Sequence, residues 1–206
     1  MKVAVVGGTG SFGRALLHRL RLAGVQAAIG SRDPSRAQEL GAVYGVEGGR
    51  NEDVVTGVDL VVLAVRSSGA LATAHQLVGP IGSTPVLCVA SDLTFTEEGV
   101  FPGRLGRSLA EEVADILSAP VAAGLQSLAA AQLTQPEPPD QDVLVCGDDM
   151  TAKGLALSFA GVLVRGRAID AGPLANARAL EGMTAIILHV NRRYGGHAGI
   201  RFTGIP

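Results

Sequence analysis

Apolar residues along the first two thirds of the chain come in short unbroken runs. Residues 3–6, VQAAIG (25–30), VDLVVLAV (58–65) and TPVLCVAS (84–91) are rich in Val, Ile, Leu and Ala without alternation. Such runs predict strands buried on both faces, as in a parallel sheet. Between them the period changes. Phe12, Leu16, Leu17 and Leu20 fall at helical spacing, and a second helix is predicted from Pro34 to about Val43, with proline in its first turn. SLAEEVADIL predicts a helix, PVAAGLQSL a strand and turn, and DVLVCG another strand. A helix from Thr151 to about Val162 follows the acidic turn Asp148–Asp149. A last helix, about Leu174 to Val190, is apolar nearly all round and is expected to be buried, with a second subunit as cover. Strands alternating with helices give the fold class α/β: a Rossmann-type doubly wound parallel sheet with a small C-terminal helical extension.

The first strand opens directly into GGTGSFG and then a helix. Gly8, Gly10 and Gly13 have the G-x-G-x-x-G spacing, in which the first allows a tight turn, the second lets backbone approach a pyrophosphate, and the third lets helix pack on strand. Amides at the helix N-terminus then face the phosphates. Gly7, Gly10 and Gly13 also fit the spacing of short-chain dehydrogenases. Those enzymes need a Tyr-x-x-x-Lys pair, and neither Tyr44 nor Tyr194 opens one; Lys2 and Lys153 are the chain's lysines.

In an NAD-binding unit an acid at the end of the second strand holds the ribose 2′-hydroxyl. Here IGSRDPSR places Gly30, Ser31 and Arg32 there, with Arg36 one helical turn on. A hydroxyl and guanidinium groups suit a 2′-phosphate, which a carboxylate would repel. The motif reads as NADP(H) binding, with the arginines as plain surface residues being the bland alternative. The proline-rich TQPEPPDQ (134–141) is the clearest punctuation in the chain. The division drawn is 1–145, an NADP-binding Rossmann domain, and 146–206, a strand and helix region expected to complete the cleft and supply a dimer interface.

Composition narrows the classes. In 206 residues, 47% are hydrophobic and 17% charged, which suits one buried α/β domain. A net charge of −2 gives no reason to expect nucleic acid or an anionic membrane as partner. The apolar runs are too short to span a bilayer and no signal segment is evident, so a cytoplasmic protein is expected. Cys88 and Cys146 lie in strand runs without metal-ligand spacing and read as buried thiols, and no metal is expected.

GGTGSFGRAL, IGSRDPSRAQEL, NEDVVTGVDLVVLAV, VCGDDMTAKG and AIDAGPLANARALEGMT together make the chain resemble the NADPH-dependent coenzyme F420 reductases. The resemblance covers most of the chain, and CGDD followed by DAGPL-N-R is its most specific part. It implies a Rossmann domain with a small helical part, a homodimer, and hydride transfer between nicotinamide and a deazaflavin without a catalytic side chain or metal. It also implies that Thr9, Ser31 and Arg32 contact the NADP phosphates, with Gly10, Ser11 and Phe12 lining the loop. Val65, Arg66, Ser67 and Ala90, at the ends of the following strands, are where the nicotinamide should pass. Gln126, Ser127 and Leu128 stand where family members carry a His-containing stretch that contacts the deazaflavin. The alternatives are NADPH-dependent reduction of another small substrate, an imine, ketone or dehydro compound, and a non-catalytic NADPH sensor.

Asp148 and Asp149 read as helix caps in preference to an acid/base pair. Asp170 is expected to order a turn near the cleft. His189 reads as a core or interface residue, and His197 lies in a glycine-rich loop.

Overall fold

The computed structural model describes residues 1–104 and 106–205. β1 (Lys2–Val6) turns into α1 (Ser11–Leu22), followed by β2 (Gln26–Ser31), α2 (Pro34–Tyr44), β3 (Glu47–Arg50) and the one-turn α3 (Asn51–Val54). β4 (Leu60–Leu63), α4 (Ser67–Ile81) and β5 (Val86–Cys88) come next, then a hairpin of β6 (Leu93–Phe95) and β7 (Val100–Pro102). α5 (Leu109–Ile116), β8 (Val121–Gly124), α6 (Ala130–Leu133), β9 (Val143–Gly147), α7 (Met150–Gly161) and β10 (Ala168–Asp170) complete the sheet. A 3₁₀ turn at Leu174–Asn176 leads into α8 (Ala177–Tyr194).

One eight-stranded sheet has the order β10-β9-β8-β5-β4-β1-β2-β3. Its inner strands are apolar on both faces because helices cover both. Ala4, Val6, Val61 and Leu63 pack toward α4 and α5, while Val3, Val5, Leu60 and Val62 pack toward α1 and α7. The expectation of an α/β doubly wound sheet holds, with one departure from a wholly parallel one: β8 and β9 pair antiparallel. The connection between them contains only the one-turn α6 and the proline-rich loop, so it starts and ends at one end of the sheet instead of crossing it. β9 spans residues 145 and 146, and β10 extends the same sheet.

This reversal relocates the acidic turn. β9 runs against β1, so Asp148 and Asp149 lie at the end of the sheet opposite the glycine loop. Asp149 caps α7 by accepting from Ala152 N at 2.8 Å, and Asp148 accepts from Leu174 N at 3.0 Å. Both are spent on helix and turn ends, as the capping reading expects. Asp170 does order a turn, accepting from Gly172 N at 2.8 Å, but β10 runs parallel to β9 and carries it to that same far end, away from the cleft.

α8 packs on the chain by one face. Its buried residues are Ala177, Leu180, Glu181, Ala185 and Ile187, while Ile186 is 66% exposed and His189 is exposed. Apolar residues do surround the helix, yet only one stripe of it packs on the chain, with Glu181 inside that stripe.

The C-terminal segment is strapped back over the start of β9. Asp142, 1% exposed, accepts from Arg167 N at 2.9 Å, Arg167 Nη2 at 2.7 Å and Phe202 N at 2.8 Å. Arg167 also donates to the carbonyls of Phe202 and Ile205. The Arg167 guanidinium, with these amides, holds the Asp142 carboxyl well below the usual carboxylate range. A depressed folded pKa means stability that is present above the unfolded value, near 4, and lost as pH falls below it. Asp142→Asn is therefore expected to lower the melting temperature at pH 7, with the gap to wild type constant down to about pH 4 and narrowing progressively below it in a thermal scan.

Candidate cofactor cleft

The strand order places the switch point between β1 and β4, where the chain moves outward in both directions from β1. In open α/β sheets the crevice there, beyond the carboxyl ends of the strands, receives the ligand. The glycine loop is built into it. Gly7 N and Gly8 N both donate to Gly30 O at 3.1 Å, and Gly10 N closes the turn on Gly7 O at 3.0 Å. Gly7 has φ +77°, and a Cβ there would meet Val65 Cγ1 at 2.7 Å. A Cβ on Gly13 would meet Gly8 Cα at 2.5 Å, so the loop and α1 interlock only while both are glycine. Gly10, by contrast, faces only Gly7 O, at 3.3 Å, and is otherwise open. It is the N-cap of α1 and offers no side chain to the first-turn amides, which leaves them for an anion. Ser11 and Phe12 are the first residues of that turn.

Thr9 Oγ1 and Ser31 Oγ lie 3.3 Å apart, joining the loop to the end of β2. Ser31 Oγ also accepts from Asp33 N at 3.1 Å. Asp33 itself caps α2, with Oδ1 accepting from Arg36 N at 3.2 Å. Its carboxylate is directed at backbone and forms no ion pair with Arg32. Arg32 and Arg36 are exposed at this corner, and no carboxylate pairs with either among the described residues. The predicted residues of the first half of the cleft thus come together: glycine loop, Ser31 and two available guanidinium groups. The residues present fit a dinucleotide carrying a 2′-phosphate.

Val65 touches this loop from the end of β4, and Arg66 and Ser67 begin α4 as its N-cap and first residue. Ala90 lies just past β5, 7% exposed. Beyond it, three elements are tied by hydroxyls. Ser91 Oγ lies 2.9 Å from Thr184 Oγ1, which donates to Gln126 O at 3.0 Å. Leu125, at the end of β8, has φ 73°, an unusual left-handed conformation for a branched residue. This turn directs the Gln126 side chain back toward the sheet, where Nε2 donates to Cys88 O at 3.4 Å. Gln126 Oε1 is buried without a partner among the described residues. Ser127 is 5% exposed, and Leu128 belongs to the buried cluster on the α1 side. Cys88 and Cys146 are buried free thiols, both pushed up to about 12 by burial.

Sequence reasoning missed Thr184 and Glu181, whose stretch reads as part of an apolar helix. Glu181, 4% exposed, accepts from Leu109 N at 2.8 Å and Ala110 N at 3.4 Å, and reaches Asp92 N at 3.5 Å. It joins α8, the head of α5 and the segment after β5. Asp92 is held in turn by Arg104 Nε at 2.7 Å, and Arg104 also pairs with Glu112. Burial pushes the Glu181 carboxyl up to about 7, with Asp92 adding to the rise against the opposing backbone amides. A raised folded pKa gives stability that is complete below the unfolded value near 4.5 and is lost as pH rises through about 7. Glu181→Gln, neutral at every pH, should gain melting temperature relative to wild type between pH 5 and pH 8.

An apolar groove of about 600 Å³ runs between the β6–β7 hairpin and α8, lined by Val100, Phe101, Met183, Ile186 and Val190 among others. No helix among the described residues is long and apolar enough to cross a membrane.

The chain is similar to known proteins in sequence and in fold. The family model described as NADP oxidoreductase coenzyme F420-dependent matches residues 2–87. The chain is 32% identical to the F420-dependent NADP reductase of Methanothermobacter thermautotrophicus, over 100% of this chain and 96% of that protein. It is 31% identical to the F420-dependent NADP reductase of Methanocaldococcus jannaschii, over 100% of this chain and 99% of the other. Among solved structures, an Arthrobacter sp. FB24 protein assigned as an F420-dependent NADP-reductase superposes with TM-score 0.84 at 23% identity, covering 98% of this chain and 99% of that one. A Streptomyces aurantiacus imine reductase shares the fold more distantly, with TM-score 0.61 at 20% identity over 94% of this chain and 61% of that one.

Proposed function

This chain belongs to the coenzyme F420-dependent NADP oxidoreductase family, and from that premise we propose how its residues carry out hydride transfer between NADP(H) and the deazaflavin coenzyme F420. The observation that carries the reading is the Thr9–Ser31 contact at the glycine loop, flanked by Arg32 and Arg36, which have no carboxylate partner among the described residues. Gly8, Gly10 and Gly13 allow the backbone to approach the pyrophosphate, and the amides of Ser11 and Phe12 at the head of α1 face it. Ser31, Arg32 and Arg36 hold the 2′-phosphate. Val65, Arg66, Ser67 and Ala90 line the path to the switch point.

Both reacting carbons belong to cofactors, so the chemistry supplied on binding is theirs. The chain's task is to align two rings and exclude water. We assign Gln126, Ser127 and Leu128 to the deazaflavin side; the Ser91–Thr184–Gln126 chain supports this by fixing the backbone of the turn, with Leu128 anchoring it in the cluster on the α1 side. Gln126 Oε1, without a partner among the described residues, is an acceptor that a ring N–H would satisfy. No side chain is needed as acid, base or nucleophile.

The region 146–206 completes the cleft through α8. The groove beside α8, with Ile186 and Phe101 exposed, supports a homodimer as the cover for this face. Equilibrium sedimentation of wild type and Ile186→Glu tests this. Free buried thiols and a small-molecule redox partner support a cytoplasmic location.

Anaerobic mixing of the purified protein with NADPH and oxidised F420 tests the function. Catalytic bleaching of the deazaflavin band, much faster with NADPH than NADH, is expected. Tight NADPH binding without bleaching would reject F420 and turn attention to another small hydride acceptor.

A further inference from the structure

β3 reads EGGR and carries no apolar residue, yet it forms the edge of the sheet beside β2. Its glycines show why it lies there and which way it faces. A Cβ on Gly48 would strike the carbonyl of Ala37 in α2, while one on Gly49 would meet Val54 Cγ1 of α3 at 3.5 Å. Successive strand residues face opposite sides, so Arg50 faces the α2 side, as Gly48 does.

Register pairs Arg50 with Ser31 and Gly49 with Gly30. Residues paired across a ladder share a face. Gly30 confirms the assignment from the other strand: a Cβ there would meet Asn51 Oδ1 at 2.7 Å and Val54 Cγ2 at 2.9 Å, on the α3 side. Ser31 therefore faces the α2 side, where its hydroxyl meets Thr9. The tight seat of Asn51 against Gly30 holds Arg50, the N-cap of α3, directly beside Ser31. Arg50 is exposed, and no carboxylate pairs with it among the described residues.

We propose that Arg50 is a third guanidinium of the 2′-phosphate subsite, approaching from β3 while Arg32 and Arg36 approach from the β2–α2 turn. The assignment rests on the NADP(H) reading above and extends it to a residue outside the local motif. A phosphate monoester carries nearly two negative charges at neutral pH and three strong acceptor oxygens, more than one guanidinium can satisfy. Cations from the β2–α2 corner and from the end of β3 would clasp it from two directions.

The test is calorimetric titration of the full chain with adenosine 2′,5′-bisphosphate and with 5′-AMP, which lacks the 2′-phosphate. Wild type, Arg50→Gln and Arg50→Lys are compared. Arg50→Gln should weaken the bisphosphate about tenfold and leave 5′-AMP unchanged, with Arg50→Lys recovering part of the loss. An unchanged bisphosphate affinity in Arg50→Gln, where wild type prefers the bisphosphate, would overturn the assignment to Arg50 and leave the NADP(H) reading intact. Equal losses for both ligands would overturn it too, placing Arg50 in support of the fold or of the shared adenosine. A wild type without preference for the bisphosphate would overturn the NADP(H) reading itself and this proposal with it.

Discussion

Replacing Arg32 and Arg36 together with alanine is expected to lower kcat/KM for NADPH about a hundredfold while leaving that for NADH nearly unchanged. Each guanidinium makes a charge-assisted contact to the 2′-phosphate, and about 1.4 kcal/mol for each corresponds to tenfold. Neither side chain is in an ion pair among the described residues, so truncation leaves no orphaned acid there, and the loss should report the ligand alone. The loss should appear in KM more than in kcat, because the contact is remote from the reacting ring and is made equally before and during transfer. Salt should weaken NADPH binding to wild type more than to the double variant, since these contacts are exposed. Steady-state kinetics with both nucleotides at low and high salt would check each part. An equal fall for NADPH and NADH would mean that the arginines support the loop instead.

Gly13→Ala should have the larger structural effect. The added Cβ would lie 2.5 Å from Gly8 Cα, 2.8 Å from Gly7 O and 2.9 Å from Gly8 C, all backbone atoms. No side chain can swing aside, so α1 must move off the loop. Overpacking of this kind costs about 1–3 kcal/mol, and the amides at the head of α1 move with the helix. We expect a lower denaturation midpoint and at least a hundredfold loss in NADPH affinity, since displacement uncouples those amides from the pyrophosphate. Gly24→Ala is the contrast: its Cβ would meet nothing within 4 Å, although φ +67° makes alanine strained there. It should cost stability without changing NADPH affinity. Chemical denaturation and nucleotide titration of the two variants separate the effects.

The difference between what could be read from the chain and what could not is one of contact distance. GGTGSFG and IGSRDPSR are legible because turn geometry and ligand recognition reside in neighbouring residues. The sheet core was legible for a related reason: strands buried on both faces cannot alternate, and the runs at 3–6 and 58–65 do not. β3 was not legible. Its strand identity comes from α2 and α3 pressing on Gly48 and Gly49 from opposite sides, which no local pattern encodes. The β6–β7 hairpin, in a stretch that reads as a Gly/Pro-interrupted loop, and α4 were likewise not legible. The direction of β9 depends on a connection that fails to cross the sheet, and it carries Asp170, expected near the cleft, to the opposite end together with the capping pair Asp148 and Asp149.

The second half of the site was hidden for the same reason. Thr184 and Glu181 sit in a stretch that reads as hydrophobic helix, and their partners Ser91, Gln126 and Leu109 are far away in sequence. A buried glutamate within an apolar stripe was the available signal, because such a side chain has to find donors. Here it found the amides at the head of α5.

The central claim is direct hydride transfer by positioning, with no proton-exchanging side chain between the cofactors. Running the reaction with NADPH deuterated at C4 on the transferred face, in ordinary water, and examining the reduced deazaflavin by mass spectrometry tests it most directly. The account predicts one deuterium retained at the ring carbon of the product. Product carrying only solvent hydrogen, formed at the catalytic rate, would contradict it and require an exchangeable group on the protein.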